Sequence, residues 1–304
     1  MATTTILVTG ASGFVGGHLV TELRRRFPAA TLDEYAVDVT DAHAVAEHLA
    51  QVRPSAVIHL AAIAAPLDAG RDPDAAWRVN LGGTLNLARA CLAQSATLLF
   101  ASTADAYGAS FVSGRPLDET ALLAPLNTYG ATKAAADLAL GAMVAEGLRA
   151  VRLRPFNHTG PGQSDSFAVP AFARQIARIE AGQQRPVIEV GALDAARDFL
   201  DVRDVCAAYV TALDRAESLP PGCILNLASG KPRRIGDVLQ DLLRVAGVSA
   251  EIRVDPTRLR TSGISAAVGN ASLAARLLDW TPRIEWEQTM ADVLADWRRR
   301  VRES

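Results

Sequence analysis

Thr5-Ile6-Leu7-Val8-Thr9-Gly10-Ala11-Ser12-Gly13-Phe14-Val15-Gly16 sets a short apolar run directly before three glycines spaced GxxGxxG. The run Ile6-Leu7-Val8 reads as a buried strand, and Phe14–Arg26 as the amphipathic helix that follows it. Glycine at a strand-to-helix turn lets the backbone bend tightly and leaves room for a pyrophosphate, whose charge rests on the helix N-terminus. A strand before and a helix after is the context a dinucleotide site requires. The reading predicts cofactor contacts from Gly10, Gly13, Phe14, Val15 and Gly16. Glycines serving only helix–strand packing are the competing explanation.

Outward from this turn the same alternation continues. Ala56-Val57-Ile58-His59-Leu60, Thr97-Leu98-Leu99-Phe100 and Ala150-Val151-Arg152-Leu153 read as further buried parallel strands. Residues 41–51, 74–94 and 128–146 read as the helices between them. An α/β chain of this rhythm predicts a Rossmann-type doubly wound parallel sheet. The rhythm breaks at Asn157-His158-Thr159-Gly160-Pro161-Gly162-Gln163, rich in turn formers and read as a loop. Beyond it lie helices near 169–181 and 202–216, and strands near 186–190, 224–227 and 251–254. We therefore expect a nucleotide-binding domain over residues 1–156, with a returning segment at about 200–228. A smaller substrate lobe of interleaved segments takes most of 157–304.

Composition narrows the function classes. Apolar residues make up 49% of the chain, enough for a large core, and the formal net charge is −2. No basic field advertises nucleic acid or an anionic membrane. Cys91, Cys206 and Cys223 lie far apart without CxxC or histidine spacing, so neither a disulfide framework nor a zinc site is expected. No His/Asp/Glu cluster offers a metal site. The first strand starts too early for a signal peptide, and no apolar run approaches the ~20 residues of a bilayer span. The expectation is a cytoplasmic protein.

Two further segments face the cofactor in this reading. Val37-Asp38-Val39-Thr40-Asp41 places Asp38 and Val39 beside the adenine, unless Asp38 is the N-cap of the next helix. His59-Leu60-Ala61-Ala62 ends a strand, so Leu60, Ala61 and Ala62 offer mainly backbone contacts. Asp33 and Glu34 are both candidates for the acid that reads the ribose hydroxyls, and NADH and NADPH stay open as cofactors.

The chemistry resides in Asn127-Thr128-Tyr129-Gly130-Ala131-Thr132-Lys133 and Ser102-Thr103-Ala104-Asp105-Ala106-Tyr107. Tyr129 and Lys133, four apart, share one helix face. An ammonium beside a phenol favours phenolate, so Tyr129 is expected to exchange a proton with a hydroxyl or carbonyl oxygen. A hydroxyl after the strand that ends at Phe100 can share that proton. Thr103 is the first choice and Ser102 the second.

The glycines with Thr103, Tyr129 and Lys133 resemble the extended short-chain dehydrogenase/reductases, a likeness that runs from Thr5 to the C-terminal helix. Asn80-Leu81-Gly82-Gly83-Thr84 and Arg154-Pro155-Phe156-Asn157 match that group too, which implies cofactor contacts from Asn80, Pro155 and Lys133. Longer runs are similar to its GDP-6-deoxy-D-mannose reductases: residues 154–167, Arg174-Gln175-Ile176-Ala177-Arg178-Ile179 and Arg197-Asp198-Phe199-Leu200-Asp201. That resemblance implies reduction of a GDP-linked 4-keto-6-deoxyhexose by NADPH or NADH. It implies diphosphate contact from Asn157, phosphate or ribose contacts from Arg185, Arg197 and Arg260, and a homodimer. Gly263 stands where the group usually carries glutamate, and 262–267 is poor in arginine. Asp105 occupies the position that is glutamate in the 4,6-dehydratases of the group, and Ala104 offers no second acid, which favours simple ketoreduction. The alternatives are a 6-deoxy-D-talose-forming reductase, a 4-epimerase, a 4,6-dehydratase, and a dinucleotide-sensing regulator without activity.

Overall fold

The computed structural model describes residues 4–258 and 263–303. β1 (Thr5–Thr9) is buried from Ile6 to Thr9. After the glycine turn comes α1 (Phe14–Arg26), with N-cap Gly13, no acid in its first turn and Arg24, Arg25 and Arg26 in its last. Basic residues there complement the helix dipole. β2 (Thr31–Asp33) is short. α2 (Ala42–Val52) is capped by Asp41, whose side chain accepts from the His43 and Ala44 amides. β3 (Ala56–His59) is buried throughout. Two short helices follow, α3 (Pro66–Arg71) and α4 (Pro73–Ala76), each with proline in its first turn. A π-helical segment, Trp77–Gly83, joins α4 to α5 (Thr84–Gln94). Then come β4 (Thr97–Ala101), α6 (Thr128–Val144) and β5 (Ala150–Pro155).

The second half interleaves two layers. β6 (Asn157–Thr159), α7 (Ala168–Glu180), β7 (Val187–Val190) and β8 (Ala196–Asp201) lead to α8 (Val202–Asp214) and β9 (Ile224–Leu227). β10 (Pro232–Arg234), α9 (Ile235–Ala246), β11 (Glu251–Val254), β12 (Ala266–Ala267), α10 (Ser272–Leu278) and α11 (Trp286–Glu303) complete the chain.

The main sheet has six strands in the order β2-β1-β3-β4-β5-β9, all parallel. Chain order reverses between β1 and β3, the switch point at which ligands bind open α/β sheets. One face is closed by α1 and α8 through Leu19, Leu23, Val205 and Tyr209. The other is closed by α2, α5 and α6 through Leu49, Leu87 and Leu140. Burying such side chains stabilises by roughly 1.5–3 kcal/mol each. A separate core joins α7, α9 and α11 around Phe172, Ile176, Leu239, Trp286 and Leu294.

The fold departs from the sequence reading in three places. The helix expected over 74–94 runs without a break but changes to π-helical pitch over Trp77–Gly83, where Gly82 and Gly83 sit. A Cβ on Gly83 would lie 2.6 Å from Val39 Cγ2, so glycine lets α5 approach the loop after β2. The turn-rich stretch from Asn157 begins as a strand, pairing with β8 through Asn157↔Phe199 and Thr159↔Asp201. Its partner lies some forty residues on, which local composition does not reveal. Asp41 rather than Asp38 caps α2; Asp38 accepts from the Thr40 amide and hydroxyl at 2.9 Å.

Candidate active site

The glycine turn packs directly on the end of β3. Gly10 has φ +71°, and a Cβ there would lie 2.8 Å from the Ala61 nitrogen, so only glycine fits. A buried chain of hydroxyls ties the two loops together. Thr84 Oγ1 donates to the Asn80 carbonyl at 2.6 Å, so at 3.0 Å it accepts from His59 Nε2. His59 Nδ1 then accepts from Thr9 Oγ1 at 2.7 Å, and Thr9 Oγ1 accepts from the Ala61 amide at 3.2 Å. Burial and the nearby Lys133 charge push His59 down to about 3, so it stays neutral in this role.

These loops open onto one cleft of about 2020 Å³, lined by Gly10, Gly13, Phe14, Val15, Gly16, Leu60, Ala61, Ala62 and Pro155. The N-terminus of α1 has no side-chain cap and points free amides at this space, an arrangement that fits a pyrophosphate. Asn80, Asp38 and Val39 do not line the cleft. Asn80 is buried, with its side chain spent on the Ile63 amide at 2.8 Å and Thr132 Oγ1 at 3.0 Å. It braces the cofactor loop against α6. Val39 is buried against Gly83 and Asp38 is exposed, its carboxylate committed to its own turn.

Across the cleft, β4 delivers Thr103 and α6 delivers Tyr129 and Lys133. Asn127 caps α6, accepting from the Gly130 amide at 2.7 Å. The Thr103 hydroxyl accepts from the Asp105 amide at 3.2 Å and lines the cleft with Tyr129. Burial, reinforced by the Asp105 charge, pushes the Tyr129 phenol up, and Thr103 only partly offsets this. The expectation that Lys133 would favour phenolate is therefore corrected: desolvation dominates, and Tyr129 holds its proton firmly. Lys133 is itself buried, its Nζ 4.2 Å from the centre of the Phe100 ring. Burial lowers it to about 7, against the opposing pull of Asp137.

Ser102, the second hydroxyl candidate, donates to Asp137 Oδ2 at 2.6 Å and so points into the protein. Asp137 also accepts from Arg154 Nε and Nη2, both at 2.9 Å, and from Arg152 Nη1 at 3.2 Å. Burial alone would raise the Asp137 carboxyl, but Arg154, Ser102 and Arg152 outweigh it and hold the group ionised. Asp105 is raised by burial, opposed by a hydrogen bond with Asn127 and by the charge of Arg197.

The other lobe forms the far wall. Asn157, on β6, Arg197, on β8, and Arg185, exposed before β7, line the same cleft. Arg260 lies outside the described residues. Sequence reasoning missed Arg178, which lines the same cleft with a buried Nε that has no hydrogen-bond partner among the described residues. Its spacing four after Arg174 on an amphipathic helix was the available signal. Asn127 and Asp137 were missed as well, although a lone acid four after Lys133 in an Ala/Leu-rich helix is conspicuous. Among the described residues no helix is long and apolar enough to cross a membrane.

Comparison with known proteins gives consistent matches. Residues 6–228 match the model of the NAD dependent epimerase/dehydratase family. The chain is 39% identical over 303 residues to GDP-6-deoxy-D-mannose reductase of Pseudomonas aeruginosa, covering 98% of each. It is 29% identical over 285 residues to GDP-6-deoxy-D-talose 4-dehydrogenase of Aggregatibacter actinomycetemcomitans, covering 90% of each. The solved structure of RMD from Pseudomonas aeruginosa complexed with NADPH superposes with a TM-score of 0.89 at 37% identity, covering 98% of this chain and all of that one.

Proposed function

We propose, from the premise that this chain belongs to the NAD dependent epimerase/dehydratase family, that it is an NAD(P)H-dependent 4-ketoreductase converting GDP-4-dehydro-6-deoxy-D-mannose to GDP-D-rhamnose. The observation that carries this reading is the gathering of Thr103, Tyr129 and Lys133 with the glycine loop around one cleft, in a chain 39% identical to a GDP-6-deoxy-D-mannose reductase.

In this reading the glycine loop and the α1 N-terminus hold the dinucleotide pyrophosphate, while Leu60, Ala61, Ala62 and Pro155 wall the cofactor. A reduced nicotinamide held there supplies hydride to carbon 4 of the sugar. Tyr129, protonated at neutral pH, gives its proton to the carbon 4 oxygen as negative charge develops on it. Thr103 orients the same oxygen. Lys133, when charged, stabilises the phenolate left behind and reaches the nicotinamide ribose.

Asn157, Arg197, Arg178 and Arg185 are the groups we assign to the sugar diphosphate, whose paired oxygens suit a guanidinium fork. Arg260 belongs to the same proposal through the resemblance alone. Asp105 contributes through Asn127 and Arg197 rather than as a second acid, in keeping with reduction without dehydration. The free cysteines are all buried, consistent with a reducing cytoplasm, and a homodimer through α5 and α6 completes the reading.

The test is to incubate the protein with NADH or NADPH and freshly generated GDP-4-dehydro-6-deoxy-D-mannose, or its dTDP-linked counterpart. Oxidation with the GDP sugar alone, yielding GDP-D-rhamnose by NMR, is expected. GDP-6-deoxy-D-talose would keep the reductase and overturn the stereochemistry. Oxidation with the dTDP sugar alone would overturn the nucleotide.

A further inference from the structure

Directly after Thr103 the cleft wall turns apolar. Ala104, Phe111, Phe156, Ile264 and Ala267 line it. All but Ile264 belong to one hydrophobic cluster with Tyr107, Leu117 and Ala228, and Ile264 packs against that cluster. Phe111, on a 3-10 segment (Gly108–Ser113), stands edge-on to Phe156 and Tyr107, its ring centre 6.0 Å from each. The Tyr107 hydroxyl donates to Asn226 Oδ1 at 2.7 Å and accepts from Arg154 Nη1 at 3.0 Å, so it is spent inside the protein. A Cβ on Gly269 would lie 2.5 Å from Phe156 Cε2, and the Leu117 amide and carbonyl pair with Val268 and Asn270. The wall is closed from behind, and close packing holds its rings in place.

A hexose whose carbon 4 oxygen meets Thr103 and Tyr129 must place both ring neighbours of that carbon. Carbon 3 carries a hydroxyl, and carbon 5 carries carbon 6. Carbon 6 is therefore two bonds from the reacting carbon, within reach of the residue next to Thr103. Asp105 and Asn127 give the cleft polar groups that suit the carbon 3 hydroxyl. The apolar wall suits a methyl. A hydroxyl on carbon 6 set against it would lose water and gain no partner from these side chains. Ala104 is 6% exposed, and its single methyl group leaves room for the methyl of a 6-deoxy sugar.

We propose that Ala104, Phe111, Phe156, Ile264 and Ala267 form the pocket for the carbon 6 methyl, with Ala104 the residue that makes this chain prefer 6-deoxy sugars to their 6-hydroxy counterparts. The proposal rests on the 4-ketoreductase reading and adds to it the residues that read carbon 6.

The probes are GDP-D-rhamnose and GDP-D-mannose, which differ only in the carbon 6 hydroxyl, with GDP as a third ligand. Each is titrated by calorimetry into the full chain with NADPH present, a combination that cannot react. GDP-D-rhamnose should bind at least about tenfold tighter than GDP-D-mannose, since an apolar pocket rejects an added hydroxyl by up to about 100-fold. Ala104→Ser gives that hydroxyl a partner and should tighten GDP-D-mannose by about fivefold, the equivalent of one net hydrogen bond. Its affinity for GDP should stay unchanged, with circular dichroism confirming that the variant is folded. Equal affinity for the two sugars, or tighter GDP-D-mannose, overturns the methyl pocket, while GDP binding leaves the nucleotide-sugar reading intact. Binding of none of the three overturns both. A preference for GDP-D-rhamnose that Ala104→Ser does not move overturns the assignment to Ala104.

Discussion

At the scale of single residues, the site places two titratable groups where burial works on them in opposite senses. Desolvation keeps the Tyr129 phenol neutral by pushing it up and loosens the Lys133 proton by bringing it down to about 7. The Lys133 shift has a consequence for stability. Between about 7 and its ordinary 10.5, the unfolded chain holds a proton on this lysine that the native state has released. Native stability therefore gains from Lys133 as pH rises through that window, and pays in full below it. Lys133→Met removes the buried ammonium, so the variant should outlast the parent in thermal unfolding near neutral and mildly acid pH. Its advantage should shrink toward the alkaline end. A stability gap that does not change with pH would mean that Lys133 is not desolvated as described. The placement of Tyr129, Lys133 and Thr103 around one cleft was legible from the sequence, because their spacing on a helix and after a strand fits the ends of two neighbouring elements. The direction of the phenol's shift was not, since a neighbouring charge is visible in sequence and burial is not.

At the scale of elements, α6 carries Tyr129 and Lys133, the proposed catalytic pair, and Asp137 one turn further on, locked between Ser102 of the β4 end and the two arginines of β5. Asp137 has no exposed surface, and losing its charge would strand the buried Arg154 guanidinium and the partly buried Arg152. Asp137→Asn should therefore cost about 3–5 kcal/mol in denaturant unfolding. A loss within about 1 kcal/mol would show that solvent already screens the cluster, as at surface pairs. The long, strongly periodic elements were readable in advance: α1 has the bounds its pattern predicts, and the four buried strands around it lie where the apolar runs place them. β6, β8, β10 and β12 were not readable as a sheet, since all but β8 are two or three residues long and each takes its partner from far along the chain. The π segment escaped for a related reason: Gly83 is set by the approach of Val39, a tertiary contact.

At the scale of the whole molecule, two cores meet along one cleft, with the cofactor loops and the Thr103–Tyr129 pair on one wall and β6, α7 and β8 on the other. The outer face of α6 leaves Leu138 60% exposed, beside a shallow groove lined by Leu85, Leu92 and Met143. A second copy covering this face is the homodimer proposed above. Sedimentation should give twice the mass of one chain, and Leu138→Glu should return it to one. A monomeric parent would remove the dimer and leave the cleft chemistry untouched. The central claim is that this cleft reduces a GDP-linked 4-keto sugar with Tyr129 as the acid. The most direct test compares NAD(P)H oxidation by GDP-4-dehydro-6-deoxy-D-mannose in the parent and in Tyr129→Phe. The account predicts one reduced dinucleotide consumed per keto sugar, and a rate at least about 100-fold lower in the variant, with dinucleotide affinity nearly unchanged. No consumption by the parent, or the same rate in both proteins, would contradict it.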